Sequence, residues 1–180
     1  MGRLSISQLL IVAALFATSG SALAAGQTYG VGVSSNAPDL GRVASAASGD
    51  TTFRVTPSTG AITKQSGGGA RVSTNSSRAT VTISCGNSNA CNSDDVYIKI
   101  GSGTVSGRGR TMTNFTVAMG TATLKSGPTG TNPISFRIGP VGKNSSKTFY
   151  VGGDIPIAGD SSGLATGNAT SSFYVWADDT

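Results

Sequence analysis

The stretch Ala79-Thr80-Val81-Thr82-Ile83-Ser84-Cys85 limits what this chain can become more than any other, because apolar and hydroxyl-bearing side chains alternate strictly along it. Successive side chains of an extended strand point to opposite faces, so Val81, Ile83 and Cys85 share one face while Thr80, Thr82 and Ser84 share the other. The same period marks Thr52 to Thr56, Val96 to Ile100, Met112 to Ala118, Ile134 to Ile138, Thr148 to Val151 with Ile155 and Ile157, and Ser172 to Trp176. Clusters of Gly, Ser, Asn and Pro separate these runs, as turns separate strands. Helical periodicity is missing after the first 24 residues, and 26 glycines with a charged fraction of only 12% make poor helix material. Glycine loses backbone entropy in a helix, and hydroxyl side chains compete for its hydrogen bonds. The pattern predicts an all-β protein, an antiparallel immunoglobulin-like or pilin-like β-sandwich of about seven to eight strands with one face packed and one wet.

The first residues read as an export signal. Arg3 supplies a positive start, Leu9 to Ala17 an apolar run, and Ala22-Leu23-Ala24 a small-x-small cleavage site. An apolar run of roughly ten residues is too short to cross a bilayer, which takes about 20. The expected organisation is a signal peptide over 1–24, an N-terminal extension or first strand over 25–38, and a single sandwich domain over 39–180. Cleavage leaves 180 − 24 = 156 residues and 12 basic against 8 acidic side chains, a net +4. That length suffices for one core without metals. The basic residues are scattered from Arg42 to Lys147, so no nucleic-acid partner is expected, and no other stretch is apolar enough to form an integral membrane segment. The product is expected to be periplasmic, displayed on the cell surface or extracellular.

Cys85 and Cys91 are the only two cysteines, and the chain has no histidine. Two sulfurs alone cannot complete a structural zinc site, and a redox pair favours the tighter C-x-x-C spacing at a helix start. A structural disulfide across CGNSNAC is expected, tying a hairpin-like connection in an oxidising compartment.

Catalysis has little to work with. Gly159-Asp160-Ser161-Ser162-Gly163 matches G-x-S-x-G in form, but Ser161 would need a base and no histidine supplies one. All eight acidic residues are aspartates, and the adjacent pairs Asp94-Asp95 and Asp178-Asp179 would point to opposite faces of a strand rather than toward each other. Asn92, Asp94 and Asp95 could offer oxygens to a cation, without EF-hand spacing. Ser66-Gly67-Gly68-Gly69 reads as a loop, and the N-x-[ST] triplets at Asn75, Asn114, Asn144 and Asn168 as products of composition. No enzyme activity, metal or cofactor is expected.

Two groups of residues suggest a family. Asp39-Leu40-Gly41-Arg42-Val43 with Ser48 to Gly60 (SGDTTFRVTPSTG) stands near the start; Phe149 to Ile157 (FYVGGDIPI), Gly163 to Gly167 and Phe173-Tyr174-Val175 stand near the end. Together they resemble the secreted bacterial family known as domain of unknown function 4402, over about Asp39 to Trp176. The chain departs from that pattern at Asn168-Ala169-Thr170, where Tyr-Ser-Gly is more usual, and in its cysteine loop. The resemblance implies a secreted sandwich akin to fimbrial and spore-coat subunits, with no catalytic residues.

Two candidate functions result. The first is a non-enzymatic cell-surface or pilus-like structural or adhesive subunit, which would pair with other copies or related subunits through edge strands. Here Tyr29-Gly30-Val31-Gly32-Val33 is either the sandwich's own first strand or a donor strand whose Tyr29, Val31 and Val33 fill a neighbour's groove. The second is an envelope ligand- or carbohydrate-binding module that uses Tyr97, Tyr150, Tyr174 and Trp176 from loops. Those four also fall within strand patterns, which leaves core and rim positions open. An exported hydrolase built on Ser161 is the remote third.

Overall fold

A computed structural model describes residues 29–34, 38–73, 78–159 and 169–179. The expected export signal and Ser161 lie outside the described residues. Among the described residues run twelve strands: β1 (Tyr29–Val33), β2 (Val43–Ala44), β3 (Thr51–Val55), β4 (Ile62–Ser66), β5 (Ala70–Arg71), β6 (Ala79–Cys85), β7 (Val96–Gly107), β8 (Thr113–Met119), β9 (Leu124–Thr129), β10 (Ile134–Ile138), β11 (Ser146–Ile157) and β12 (Ala169–Asp179). One short 3-10 turn spans Ala90–Asn92.

Every pairing is antiparallel, and the fold is an all-β sandwich. The larger sheet runs β1-β6-β11-β3-β4, with β8 also paired to β11. The second sheet runs β12-β7-β10-β9, and β2 and β5 form a small separate ribbon. The strand number is higher than the seven or eight expected, because β2 and β5 have two residues each and β4 and β9 carry no alternation.

β11 is the spine of the larger sheet. Its residues Ser146 to Val151 pair with β6, and Gly153 to Ile157 pair with β3. Phe149 to Asp154 also pair with β8. What reads as two short runs in the sequence is therefore one continuous strand.

The core lies between the sheets. Phe53 and Val55 of β3, Val81 and Ile83 of β6, and Phe149 and Val151 of β11 share one buried cluster with Ile98 and Ile100 of β7 and Phe136 and Ile138 of β10. Phe136 meets Phe149 edge to face at 5.3 Å, which joins the layers directly. Each such side chain contributes about 1.5–3 kcal/mol on burial, so strict alternation in β6 and β10 is what fixes their register.

The sheet edges differ in how they are protected. β4 is nearly all exposed and carries Lys64 and Gln65, while β9 has irregular pairing beside Gly127-Pro128. Charge, proline and bulges all discourage edge-to-edge pairing. β1 has none of these devices; its Gly30 and Gly32 alternate with Tyr29, Val31 and Val33. Among the described residues, no helix is long and apolar enough to cross a membrane.

Candidate binding face

The outer surface of the second sheet gathers three of the four aromatic residues singled out in the sequence. In β7, Val96, Ile98 and Ile100 are fully buried, which turns Tyr97 and Lys99 outward. In β10, buried Phe136 and Ile138 turn Ser135 and Arg137 outward. In β12, buried Ala177 turns Trp176 and Asp178 outward, with Tyr174 in the same parity. These aromatics are strand residues; none sits in a loop.

Pairing arranges them in rows across the sheet. Tyr174 lies opposite Gly101. In the next row Trp176 lies opposite Lys99, which lies opposite Ser135. In the third, Asp178 lies opposite Tyr97, which lies opposite Arg137. The rings of Tyr97 and Trp176, diagonal neighbours, meet edge to face at 5.9 Å and 75°. Such contacts between aromatic rings add about 0.5–1.5 kcal/mol beyond area burial and lock both rings in place.

Gly101 is what lets Tyr174 lie down. A Cβ built there would stand 2.5 Å from Tyr174 Oη and 2.6 Å from Cζ, so the ring occupies the space a side chain would fill. Tyr174 and Trp176 nevertheless remain 45% and 39% exposed. Two large aromatic side chains left this open, anchored on a rigid sheet, form a platform that offers both an apolar surface and polar tips.

Tyr150 does not join them. It lies in β11 of the larger sheet, opposite Thr80 and Ala118, and its ring is capped by the Arg78 guanidinium at 3.5 Å. Arg78 also donates to the carbonyls of Pro57 and Ser58, so this is a tied structural contact.

Cys85 and Cys91 form a disulfide with a Cα–Cα distance of 6.4 Å. The connection it ties is not a hairpin, since β6 lies in the larger sheet and β7 in the second. The bridge instead fixes a crossover between the layers. Backbone donors of the 142–144 turn reinforce it: Gly142 N donates to Cys91 O at 2.7 Å and Asn144 N to Gly86 O at 2.8 Å. Lys143 N donates to Asn92 Oδ1 at 2.9 Å, which engages one of the oxygens considered for a cation. Among the described residues no group of three or more His, Cys, Asp or Glu side chains is placed to hold a metal ion.

Tyr29 to Val33 is β1, paired along its whole length with Val81 to Cys85 of β6. Tyr29 is 2% exposed and belongs to the core, whereas Val31 is 37% exposed. Within this chain the segment therefore fills its own edge.

A separate polar cluster lies on the larger sheet. Asp154, 5% exposed, accepts from Arg54 Nε at 2.6 Å, Arg54 Nη2 at 2.7 Å and Asn114 Nδ2 at 2.8 Å. Burial pushes its carboxyl up, but hydrogen bonds from Arg54 and Asn114 and the Arg54 charge outweigh that and hold it below the ordinary 3.8. Every oxygen is engaged, which marks the cluster as a clamp between β3, β8 and β11.

Sequence reasoning missed Lys99, Arg137 and Ser135. Parity alone could have found Lys99, two residues beyond Tyr97 on the same strand. Comparison with known proteins adds no assignment: no family model, no curated protein and no solved structure matches the chain.

Proposed function

We propose that this chain is a non-enzymatic, exported β-sandwich that serves as an adhesive structural subunit at the cell surface, holding a carbohydrate polymer on the outer face of its second sheet. The observation that carries this reading is the placement of exposed Tyr174 and Trp176 and half-buried Tyr97 on one face, with Tyr174 laid over Gly101. Sugar rings present apolar C–H faces and a rim of hydroxyls. An aromatic platform edged by Lys99, Ser135, Arg137 and Asp178 complements both. The disulfide fits an oxidising compartment, and the motifs similar to those of domain of unknown function 4402 fit a secreted, non-catalytic role.

Affinity electrophoresis and a glycan array test it directly. Wild type is expected to be retarded by at least one surface polysaccharide, and Trp176→Ala to abolish the retardation with an unchanged melting curve. Absence of any glycan binding by the wild type refutes it.

The position of β1 favours a second, compatible reading in which subunits also join one another. β1 is the terminal strand of the larger sheet and, among the described strands, pairs with β6. The same ladder made in trans would link copies without any new chemistry.

A further inference from the structure

We infer that the polymer held on the second sheet is anionic, a polysaccharide whose sugar units carry carboxylates, and that Lys99 and Arg137 are the residues that select for it. This rests on the carbohydrate-binding reading above and narrows it.

The cations of this protein are mostly used internally. Arg54 is locked to Asp154, Arg78 caps Tyr150, and Lys143 Nζ donates to Asn89 Oδ1 at 3.1 Å. Lys99 and Arg137, like Arg42, Lys125 and Lys147, make no side-chain hydrogen bond or ion pair with any described residue. Lys99 and Arg137 stand on the two central strands, β7 and β10, in the middle of the aromatic face. Lys99 is the cross-strand neighbour of Trp176, and Arg137 that of Tyr97. Trp176 and Tyr97 thus each have a cation one strand away, about 5 Å across the sheet. A sugar stacked on the ring would place a ring substituent over that cation.

The acid on this face does not cancel the effect. Asp178 lies on β12, the edge strand, on the far side of Tyr97 from Arg137. The formal sum over Lys99, Arg137 and Asp178 is 2 − 1 = +1, with the positive charge central and the negative marginal. A carboxylate is therefore drawn to the middle of the platform. Arg137 offers the planar fork that matches it, and Lys99 a mobile point charge that adapts to spacing along the polymer. Stacked rings beside cations also suit single-stranded nucleic acid. The disulfide favours the polysaccharide, since it places the folded chain where thiols oxidise and nucleic acid is scarce.

The test uses the mature chain and a panel of three polyuronates: polygalacturonate, alginate and hyaluronate. Each is paired with its carboxyl-reduced neutral form, and a single-stranded thymidine oligonucleotide is added. Wild type is expected to bind at least one polyuronate about fivefold or more tightly than its neutral form, the scale of two exposed charge contacts. Lys99→Gln with Arg137→Gln is expected to erase that preference, so that each polyuronate binds no more tightly than its neutral form. The charge-keeping pair Lys99→Arg with Arg137→Lys is expected to retain it. Equal binding of charged and neutral forms overturns this inference and leaves the carbohydrate reading standing. Binding to neither form overturns both, and tighter binding of the oligonucleotide than of every polyuronate assigns the face to nucleic acid instead.

Discussion

Replacing Asp154 by Asn tests whether the clamp between β3, β8 and β11 stabilises the sandwich as its geometry requires. The carboxylate is buried and accepts three hydrogen bonds at 2.6 to 2.8 Å, two of them from one guanidinium. The amide keeps the shape but turns an N–H₂ donor toward at least one donor of Arg54 or Asn114. A hydrogen bond to a charged group is worth about 1.5–3 kcal/mol, and such terms do not add fully. Arg54 keeps 42% of its side-chain surface in solvent, so water recovers part of what the guanidinium loses. The net cost is about 2–3 kcal/mol, or a fall in Tm of roughly 4–12 °C for a domain of this size. The pH dependence carries the sharper test. The folded carboxyl titrates below its ordinary value, so the stabilisation is complete above the unfolded pKa and drains away as pH falls through the folded one. Urea unfolding followed by far-ultraviolet circular dichroism, from about pH 7 down to about pH 2, measures the difference between wild type and Asp154→Asn. That difference is expected to be full at the neutral end and to shrink once Asp154 protonates, because a neutral carboxyl and an amide are nearly isosteric. A difference that is absent at neutral pH, or that persists undiminished at the acid end, refutes the clamp.

Three further outcomes are expected. Gly101→Val forces the Tyr174 ring off the sheet, so polymer binding should fall at least as far as in Tyr174→Ala, while stability stays within about 1 kcal/mol by thermal denaturation. Cys85→Ser with Cys91→Ser should cost about 2 kcal/mol in urea unfolding, as the loop is short; thiol titration of the native wild type should show no reaction with reductant until denaturant is added, since Cys91 is fully buried. Deleting residues 29–33 should bare the Val81 to Cys85 edge, and the truncated chain should capture a synthetic peptide spanning those residues, seen by native mass spectrometry. Failure to capture it while the domain stays folded would sink the strand-exchange reading.

The sequence was most legible where burial and alternation coincide. Ala79–Cys85 and Ile134–Ile138 keep the bounds that alternation implies, because each places fully buried residues on one parity only. Legibility fails where the backbone alone holds a strand. β7 continues from Ile100 through Gly101, Ser102 and Gly103 to Gly107, and β12 begins at Ala169; neither extension alternates cleanly. They form because each pairs with the other from Val96 to Gly107, so the signal sits in the partner and is invisible locally. β4 and β9 lack the signal for the opposite reason: with nearly every residue exposed, neither parity is under pressure to be apolar. The turn between β4 and β5 was readable from its glycines, and Gly67 does take a φ of +88°, a region costly for any residue with a Cβ.

The candidate binding face shows why a site can be half visible. Alternation assigns Tyr97, Tyr174 and Trp176 to a parity but does not say which strands are neighbours. Only the pairing of β12 with β7 brings Trp176 beside Lys99, and only the pairing of β10 with β7 brings Arg137 beside Tyr97, so the cations could not be attached to the rings beforehand. The same pairing separates Tyr150, whose sequence context looks no different but whose strand belongs to the other sheet. Gly101 completes the argument, because its missing Cβ has no local explanation in a strand of alternating Val, Tyr, Ile and Lys. A glycine in a strand interior weakens it, and this one is tolerated where an aromatic ring from the next strand lies in its place. Its effect is to hold an exposed tyrosine flat against the sheet beside an exposed tryptophan, the geometry on which the proposed polymer site rests.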